Sequence, residues 1–242
     1  LVTGVIQTND GKIWIGADHG GIAILNKVTG EIQPVLNDPD DPQSLVNNNV
    51  NNLFLDSNGG IWVATIKSGV SYYHHSSSRF RHVKYDKKIS AYNDMSSFAE
   101  DGSGNLWIGT NGQGLLKYNL RERAFKPLSS QVSANQPNVV VSLLNDSQGN
   151  IWVGTYLKGL HILKDGRLKP FALNEHSAAM SIWELYEDSN GMIWIGTINN
   201  GVYRYNPNDQ SVFQISMSNG LMANYVTCIE EDDLGNIWLG TG

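Results

Sequence analysis

The chain has 242 residues, of which 40% are hydrophobic, 17% charged and 10% aromatic, a composition that excludes a disordered chain. Its formal net charge of −6 argues against nucleic acid as a partner, because a domain that binds a duplex normally has a basic surface. One cysteine excludes a disulfide framework, and no run approaches the roughly 18 apolar residues of a membrane-spanning helix.

The first predicted strand opens at Leu1, and a tryptophan-centred segment then recurs six times along the chain. Consecutive tryptophans are 42 to 48 residues apart, and the segments show no helical periodicity. A period of about 45 residues of this kind is typical of propeller blades. The repeated tryptophans are Trp14, Trp62, Trp107, Trp152, Trp194 and Trp238.

A D-x-x-G turn precedes five of the six tryptophans. We predict that its carboxylate accepts turn N–H groups while its glycine takes a positive φ. Because the turn recurs so regularly, we interpret its aspartates as structural rather than as metal ligands or acid–base groups. The aspartates are Asp56, Asp101, Asp146, Asp188 and Asp232, with Thr8 in the first copy. The Ile-Trp-Ile runs that follow are continuously apolar, which predicts strands buried on both faces.

Each period accommodates four short strands in an antiparallel meander. The sequence therefore predicts an all-β fold, a β-propeller over residues 1–242 with about five and a half blades. The blades are predicted to start near residues 1, 47, 92, 137, 179 and 223. An acidic insertion at residues 37–44 accounts for the long first period. Because the chain begins without Met and the last blade is incomplete, we expect it to be part of a longer polypeptide and of a larger ring.

The unit D-x-x-G-x-[IL]-W-[IVL]-G-T followed by x-x-x-G-[LIV] resembles the two-component regulator propeller repeat. The segments Asp101–Thr110 and Asp146–Thr155 match it in every column, and Thr8, Ala17 and Ala64 depart from it. The resemblance covers essentially the whole chain. WD40 repeats fit less well because no Trp-Asp dipeptide occurs, sialidase-type Asp boxes are one residue shorter, and tryptophan-repeat dehydrogenase propellers remain a competitor.

The resemblance implies a seven-bladed propeller in the periplasmic part of a hybrid two-component sensor anchored in the inner membrane. It implies that the propeller recognises oligosaccharides from polysaccharide breakdown and signals to a histidine kinase elsewhere in the parent chain. The expected partners are the oligosaccharide, the rest of the sensor kinase and, as an open alternative, a second copy in a homodimer.

No motif in the sequence predicts catalysis, a metal site or a cofactor. The six histidines have no metal-ligand spacing, and no G-x-S-x-G occurs. Cys228 falls in a predicted first strand, where we expect a small buried thiol. Two other functions remain open: a propeller enzyme acting on glycans, either a lyase or a glycosidase, and a scaffold for protein–protein interaction.

Ligand binding is predicted at the blade end opposite the D-x-x-G turns, where the loops differ from blade to blade. Amide, carboxylate and amine groups suit sugar hydroxyls, and aromatic faces suit sugar C–H surfaces. The competing interpretation is that Asn simply favours turns, and that Trp183, which lies outside the repeated column, packs against the next blade. The candidate residues are Asp18, His19, Lys67, Asn111, Gln113, Tyr156, Lys158, Trp183, Asn199 and Asn200.

A basic run at residues 79–88 carries a local charge of +4, from five basic residues and one acidic residue. It could meet an anionic glycan or a partner protein. The alternative is a solvated outer strand whose charges discourage edge pairing.

Overall fold

The computed structural model describes residues 1–77, 79–85, 94–126 and 137–242. Within these residues the fold is built from β-strands, with a single 3₁₀ turn at Ser177–Ala179. The strands form five four-stranded sheets and one two-stranded sheet, each with its strands in sequence order. This arrangement is a β-propeller with five full blades and two strands of a sixth, which confirms the predicted fold class. The predicted blade start near residue 92 lies outside the described residues.

The first three blades have the following strands. Blade 1 comprises β1 (Val2–Gln7), β2 (Ile13–Ala17), β3 (Gly21–Leu25) and β4 (Ile32–Val35). Blade 2 comprises β5 (Val50–Leu55), β6 (Ile61–Thr65), β7 (Gly69–Tyr73) and β8 (Phe80–Val83). Blade 3 comprises β9 (Met95–Glu100), β10 (Asn105–Thr110), β11 (Leu115–Asn119) and β12 (Ala124–Lys126).

The remaining strands continue the same order. Blade 4 comprises β13 (Val140–Asn145), β14 (Ile151–Thr155), β15 (Leu160–Lys164) and β16 (Arg167–Phe171). Blade 5 comprises β17 (Ile182–Glu187), β18 (Ile193–Thr197), β19 (Val202–Tyr205) and β20 (Val212–Ile215). Blade 6 comprises β21 (Val226–Glu231) and β22 (Ile237–Thr241). The chain divides into two compact units, residues 1–97 with 110–112 and residues 98–109 with 113–242.

Four of the six tryptophan-bearing second strands are fully buried, as their continuous apolar runs predict, whereas β2 is half-buried in part and β22 is partly exposed. Every residue of β6, β10, β14 and β18 is buried. In blade 4, Trp152 is 2% exposed and meets Phe171 and Tyr205 edge to face, with ring centroids 4.8 and 5.8 Å away. Such contacts add to the burial of apolar surface that stabilises each blade.

The glycine at or just before the start of each third strand is required by close backbone approach. At Gly69 the φ angle is +87°, and a Cβ atom would lie 2.7 Å from the carbonyl oxygen of Val83. Any other residue would be strained and would displace the neighbouring strand.

The acidic insertion lies along the outer strand of blade 2. The N–H of Phe80 donates to the carbonyl oxygen of Gln43 at 3.0 Å, and Arg79 forms an ion pair with Asp41 at 3.8 Å. The insertion therefore covers part of this edge, which limits pairing with other chains. The end of the basic run, residues 86–88, lies outside the described residues.

The expectation that Cys228 is buried is wrong. Val226 and Ile229 of β21 are buried, and both approach Gly196 of blade 5, whereas Cys228 is exposed. The face of this two-stranded sheet that meets blade 5 is covered, and the thiol is not on it. In the described parts of the chain, no helix is long and apolar enough to cross a membrane.

Candidate functional site

The D-x-x-G turn and its tryptophan form one hydrogen-bonded unit. In blade 4, Oδ2 of Asp146 accepts the indole N–H of Trp152 at 2.8 Å, while Oδ1 accepts the N–H groups of Gln148 at 3.1 Å and Asn150 at 2.7 Å. The sequence predicted the turn amides as partners but not the indole. The same indole bond, at 2.7 to 2.9 Å, joins Asp56 to Trp62, Asp101 to Trp107, Asp188 to Trp194 and Asp232 to Trp238.

At two of these turns the hydrogen bonds favour the ionised carboxylate. Burial would raise the pKa of Asp101, but hydrogen bonds from Asn105 and Trp107 outweigh it and hold the pKa below its usual value. Hydrogen bonds from Asn236, then Trp238, lower the pKa of Asp232 to about 2. Carboxylates committed in this way to the fold are poor candidates for ligand binding or catalysis.

The D-x-x-G end also carries clamps between neighbouring blades of the second unit. The N–H and hydroxyl of Ser147 bond the two carboxylate oxygens of Glu187 at 2.7 and 2.6 Å. Ser189 and Glu231 repeat this arrangement one blade further on, at 2.6 Å for both bonds. No three His, Cys, Asp or Glu side chains in the described residues gather into a group that could hold a metal ion.

The opposite end, here called the variable end, is formed by the turns between second and third strands and by the linkers before each first strand. The first residue of each turn donates its N–H to the linker of the same blade, at 2.9 to 3.2 Å. The donor and acceptor pairs are Asp18 and Leu1, Ile66 and Asn49, Asn111 and Asp94, Tyr156 and Val139, and Ile198 and Ser181. Turns and linkers thus share one end of each blade.

Large side chains occupy left-handed positions at three of these turn tips. His19, Lys67 and Leu157 have φ angles of 60°, 59° and 56°, whereas blade 3 has Gly112 at the same position. A non-glycine residue in this region is strained by the order of 1 kcal/mol. All three side chains are exposed, so no burial offsets this strain.

In the first unit, Asp94 holds two candidate residues side by side. Its carboxylate accepts the side-chain amide of Asn111 at 3.2 Å and the main-chain N–H of Lys67. Asp94 is 9% exposed, and its burial raises the carboxyl pKa, partly offset by Asn111 and by the charge of Lys67. In blade 1, Asp18 and His19 form a separate pair, 2.8 Å between Oδ1 and Nδ1.

In the second unit, Ser181 takes the position that Asp94 has in the first. Its hydroxyl accepts the N–H of Leu157 at 3.1 Å, and its carbonyl accepts the N–H of Ile198 at 3.2 Å. This residue therefore ties together the turns of blades 4 and 5. Tyr156 and Lys158 flank Leu157 and are exposed, as predicted ligand residues must be.

The remaining candidates occupy less open positions. Asn199 is exposed, but the main chain of Asn200 is engaged, because its N–H donates to Thr197 Oγ1 at 2.9 Å and its carbonyl accepts Gln214 Nε2 at 2.8 Å. Gln113 is half-buried within the turn of blade 3. Of this group, Asn199 has the side chain best placed to meet a ligand.

Trp183 stands at a repeat position where the smaller residues of blades 1 and 2 bond to the next blade. The hydroxyl of Thr3 donates to the Val50 carbonyl at 2.9 Å, and the amide of Asn51 donates to the Met95 carbonyl at 2.8 Å. The strand register shifts at each of these positions, so the side chain turns toward the neighbouring blade. Trp183 follows this geometry.

Trp183 meets Tyr225 at the boundary of blades 5 and 6. Their ring centroids lie 6.0 Å apart with an interplanar angle of 78°, and both residues are half-buried. Tyr225 occupies the linker position that Asp94 and Ser181 hold at other boundaries. Two repeat positions that hold no aromatic residue in the other blades are thus both aromatic at this boundary, and the two rings are in contact.

Next to this pair, Glu184 is a carboxyl in an unfavourable environment. Burial and, secondarily, the charge of Glu230 raise its pKa to about 7, although the N–H of Leu185 donates to Oε1 at 3.2 Å. Equivalent first-strand positions are uncharged: Gly4, Asn52, Ser97, Ser142 and Cys228. Carboxyls with strongly raised pKa values are concentrated at functional sites. Glu184 was missed by sequence reasoning, and its departure from the uncharged residues at this repeat position was the available signal.

Comparison with known proteins places this geometry in a family. The family described as "Two component regulator propeller" matches five segments, each spanning a first strand, a D-x-x-G turn and a second strand, at residues 44–67, 90–112, 135–157, 177–199 and 220–242. The chain belongs to this family. Its repeats confirm the resemblance seen in the sequence.

Solved structures share the fold at low sequence identity. The extracellular domain of the hybrid two component system BT3049 from B. thetaiotaomicron is 24% identical with a TM-score of 0.83, over 99% of this chain and 32% of that one. Virginiamycin B lyase from Staphylococcus aureus is 14% identical with a TM-score of 0.76, over 98% and 76%. PorZ, from the type-IX secretion system of Porphyromonas gingivalis, is 14% identical with a TM-score of 0.76, over 100% and 37%.

The propeller spans about a third of the BT3049 domain. No curated protein matches it in sequence.

Proposed function

We propose that this propeller is the periplasmic ligand-sensing region of a hybrid two-component sensor. In this proposal, it binds an oligosaccharide from polysaccharide breakdown at the variable end. The rest of the parent sensor carries the bound state across the inner membrane to a histidine kinase. Support comes from the repeat family and from the fold shared with the BT3049 extracellular domain.

One observation carries the proposal, the contrast between the two ends of the blades. The D-x-x-G end commits its carboxylates to indole and turn N–H groups, whereas the variable end presents exposed side chains on strained tips. The Trp183–Tyr225 pair at that end could stack against the C–H face of a sugar ring, with Asn199 able to bond hydroxyls. Signalling then requires the ligand to favour one arrangement of the sensor over another.

Catalysis on glycans is the competing function, since the fold is also that of virginiamycin B lyase. A glycosidase needs two carboxyls roughly 5–9 Å apart, and Glu184 with Glu230 is the pair that interacts electrostatically. We propose that the region is not an enzyme. Incubation with the glycans that bind, followed by product analysis, tests this, and turnover abolished by Glu184→Gln would overturn it.

Thermal melts with neutral, amino, uronic and sulfated oligosaccharides test ligand binding. A ligand at about 100 times its Kd adds roughly 2.7 kcal/mol, or about 5–10 °C in Tm at this size. We expect one sugar class to give such a shift and Trp183→Asn to abolish it. Asn occupies the equivalent column in blade 2, so the variant should still fold. A cooperative melt that no glycan shifts would contradict the proposal and favour a protein–protein scaffold.

Replacing Leu157 with glycine separates binding from stability. Glycine relieves the left-handed strain but adds entropy to the unfolded chain, and these effects are both about 1 kcal/mol, so the melt should stay within about 2 °C of the parent. The ligand-induced shift should fall because the exposed Leu157 side chain is lost. Gln210→Gly is the matched control, since Gln210 is also exposed and left-handed, with φ 61°, but lies in a turn at the other end. Equal ligand-induced shifts in Tm for the two variants would show that Leu157 does not contact the ligand.

A further inference from the structure

The boundary of blades 5 and 6 gathers three departures from the repeat. Trp183 contacts Tyr225 across it, and Glu184, the next residue along β17, faces the same boundary. A Cβ atom placed on Gly196 would lie 3.3 Å from the Cβ of Glu184 and 3.2 Å from Cγ1 of Val226, so Glu184 and the first strand of blade 6 meet at this glycine. An acidic group thus lies beside an aromatic pair, and both are turned toward blade 6.

Among the described strands with the most contacts to β17, none carries a cation that could balance Glu184. The strands packed against β17 are β13, β14, β18 and β21, and the charged residues on these four strands are Glu230 and Glu231. Both are acidic. Glu184 is half-buried, and a carboxylate partly removed from water without a counter-charge is unfavourable. An incoming cation would reduce that penalty.

We propose that Glu184 and the Trp183–Tyr225 pair form a subsite for a protonated amine, which makes an amino sugar the preferred unit of the ligand. The aromatic faces attract a cation as well as a sugar ring, and the carboxylate supplies the opposite charge. Neutral and N-acetylated sugars offer no such charge, and uronic or sulfated sugars would be repelled by Glu184 and Glu230. This inference rests on the proposed function, because it names the ligand class of the same site.

Binding of an amine to this subsite must depend on pH. The carboxyl has to ionise to pair with the ammonium group, and its pKa of about 7 sets the range. Affinity for the amine is therefore expected to fall about tenfold for each pH unit below 7, because the ionised fraction falls by that factor. A site that recognises only hydroxyl groups would not follow this profile.

The test compares glucosamine oligomers with N-acetylglucosamine oligomers of the same length, by titration calorimetry on the chain at pH 4.8 and 6.8, because the sugar amine itself loses its proton near neutral pH. At pH 6.8 the amine form should bind at least tenfold more tightly, and at pH 4.8 this preference should be largely lost. Glu184→Gln should remove both the preference and the pH dependence. Glu175→Gln, an exposed residue of the same unit, should change neither.

The outcomes separate this inference from the function on which it rests. Equal binding of both oligomers, or tighter binding of a neutral or uronic glycan, would overturn the amine subsite and leave the sugar sensor standing. Binding of no glycan at all would overturn both. The melt of Glu184→Gln shows whether the variant is folded. A folded variant that still binds the N-acetylated oligomer supports the subsite, and a folded variant that binds neither oligomer contradicts it.

Discussion

Replacing Glu184 with glutamine is expected to stabilise the protein by about 3 kcal/mol at pH 8 and to change stability little near pH 4. The folded-state pKa is about 7 against an ordinary value of 4.5. Well below pH 4.5 the carboxyl is protonated in both states, so its burial carries no ionisation penalty. As pH rises from 4.5 to 7, the unfolded chain ionises and the folded chain does not, so the free energy of unfolding falls. Above pH 7 this loss is complete, and glutamine avoids it.

Urea unfolding at pH 4.5, 6 and 8 measures this effect directly. The difference in free energy of unfolding between Glu184→Gln and the parent should widen as pH rises. For Glu175→Gln the difference from the parent should stay the same at all three pH values. A constant difference at all three pH values would show that the Glu184 carboxyl titrates normally in the folded protein. That result would also weaken the amine subsite, since it would mean that Glu184 is well solvated.

Replacing Asp146 with alanine is expected to lower the free energy of unfolding by about 4 kcal/mol and Tm by roughly 10 °C. Asp146 is 4% exposed, and its loss leaves the indole N–H of Trp152 and two turn N–H groups without their acceptor inside the protein. The free energy of unfolding of Asp146→Asn should lie between those of the parent and of Asp146→Ala. An amide keeps one acceptor oxygen for the turn but presents an N–H₂ group to the indole.

The matched control for Asp146 is Asp232→Ala. Asp232 makes the same indole bond, at 2.8 Å to Trp238, but Trp238 is 65% exposed. Water can replace the lost carboxylate there, so the loss of stability should be much smaller. Chemical denaturation of the two variants measures both effects, and equal losses would show that turn geometry, rather than burial of the indole bond, determines the stabilisation.

Much of the fold could be predicted because the same local rule is repeated along the chain. Apolar runs such as Ile151–Val153 and turns such as Asp146–Gly149 specify a strand and a tight turn within ten residues. The six copies of the tryptophan-centred segment define the repeat period. The exposed ligand candidates at turn tips, Lys67 and Tyr156 among them, followed from the alternation of strands. The indole partner of each aspartate was missed, because it depends on how the strand after the turn directs the tryptophan ring.

The sequence by itself determined the blade, its period, its two chemically different ends and its family. Only the tertiary structure decided that Asp94 joins two turns, that Trp183 meets Tyr225, and that Glu184 is half-buried beside Glu230. The physical reason is the range of the interactions. Turns and strands are specified by neighbours along the chain, whereas the environment of a side chain at a blade boundary is set by residues about 40 positions away. Solvation and pKa depend on that environment, and neither can be read from a repeat column.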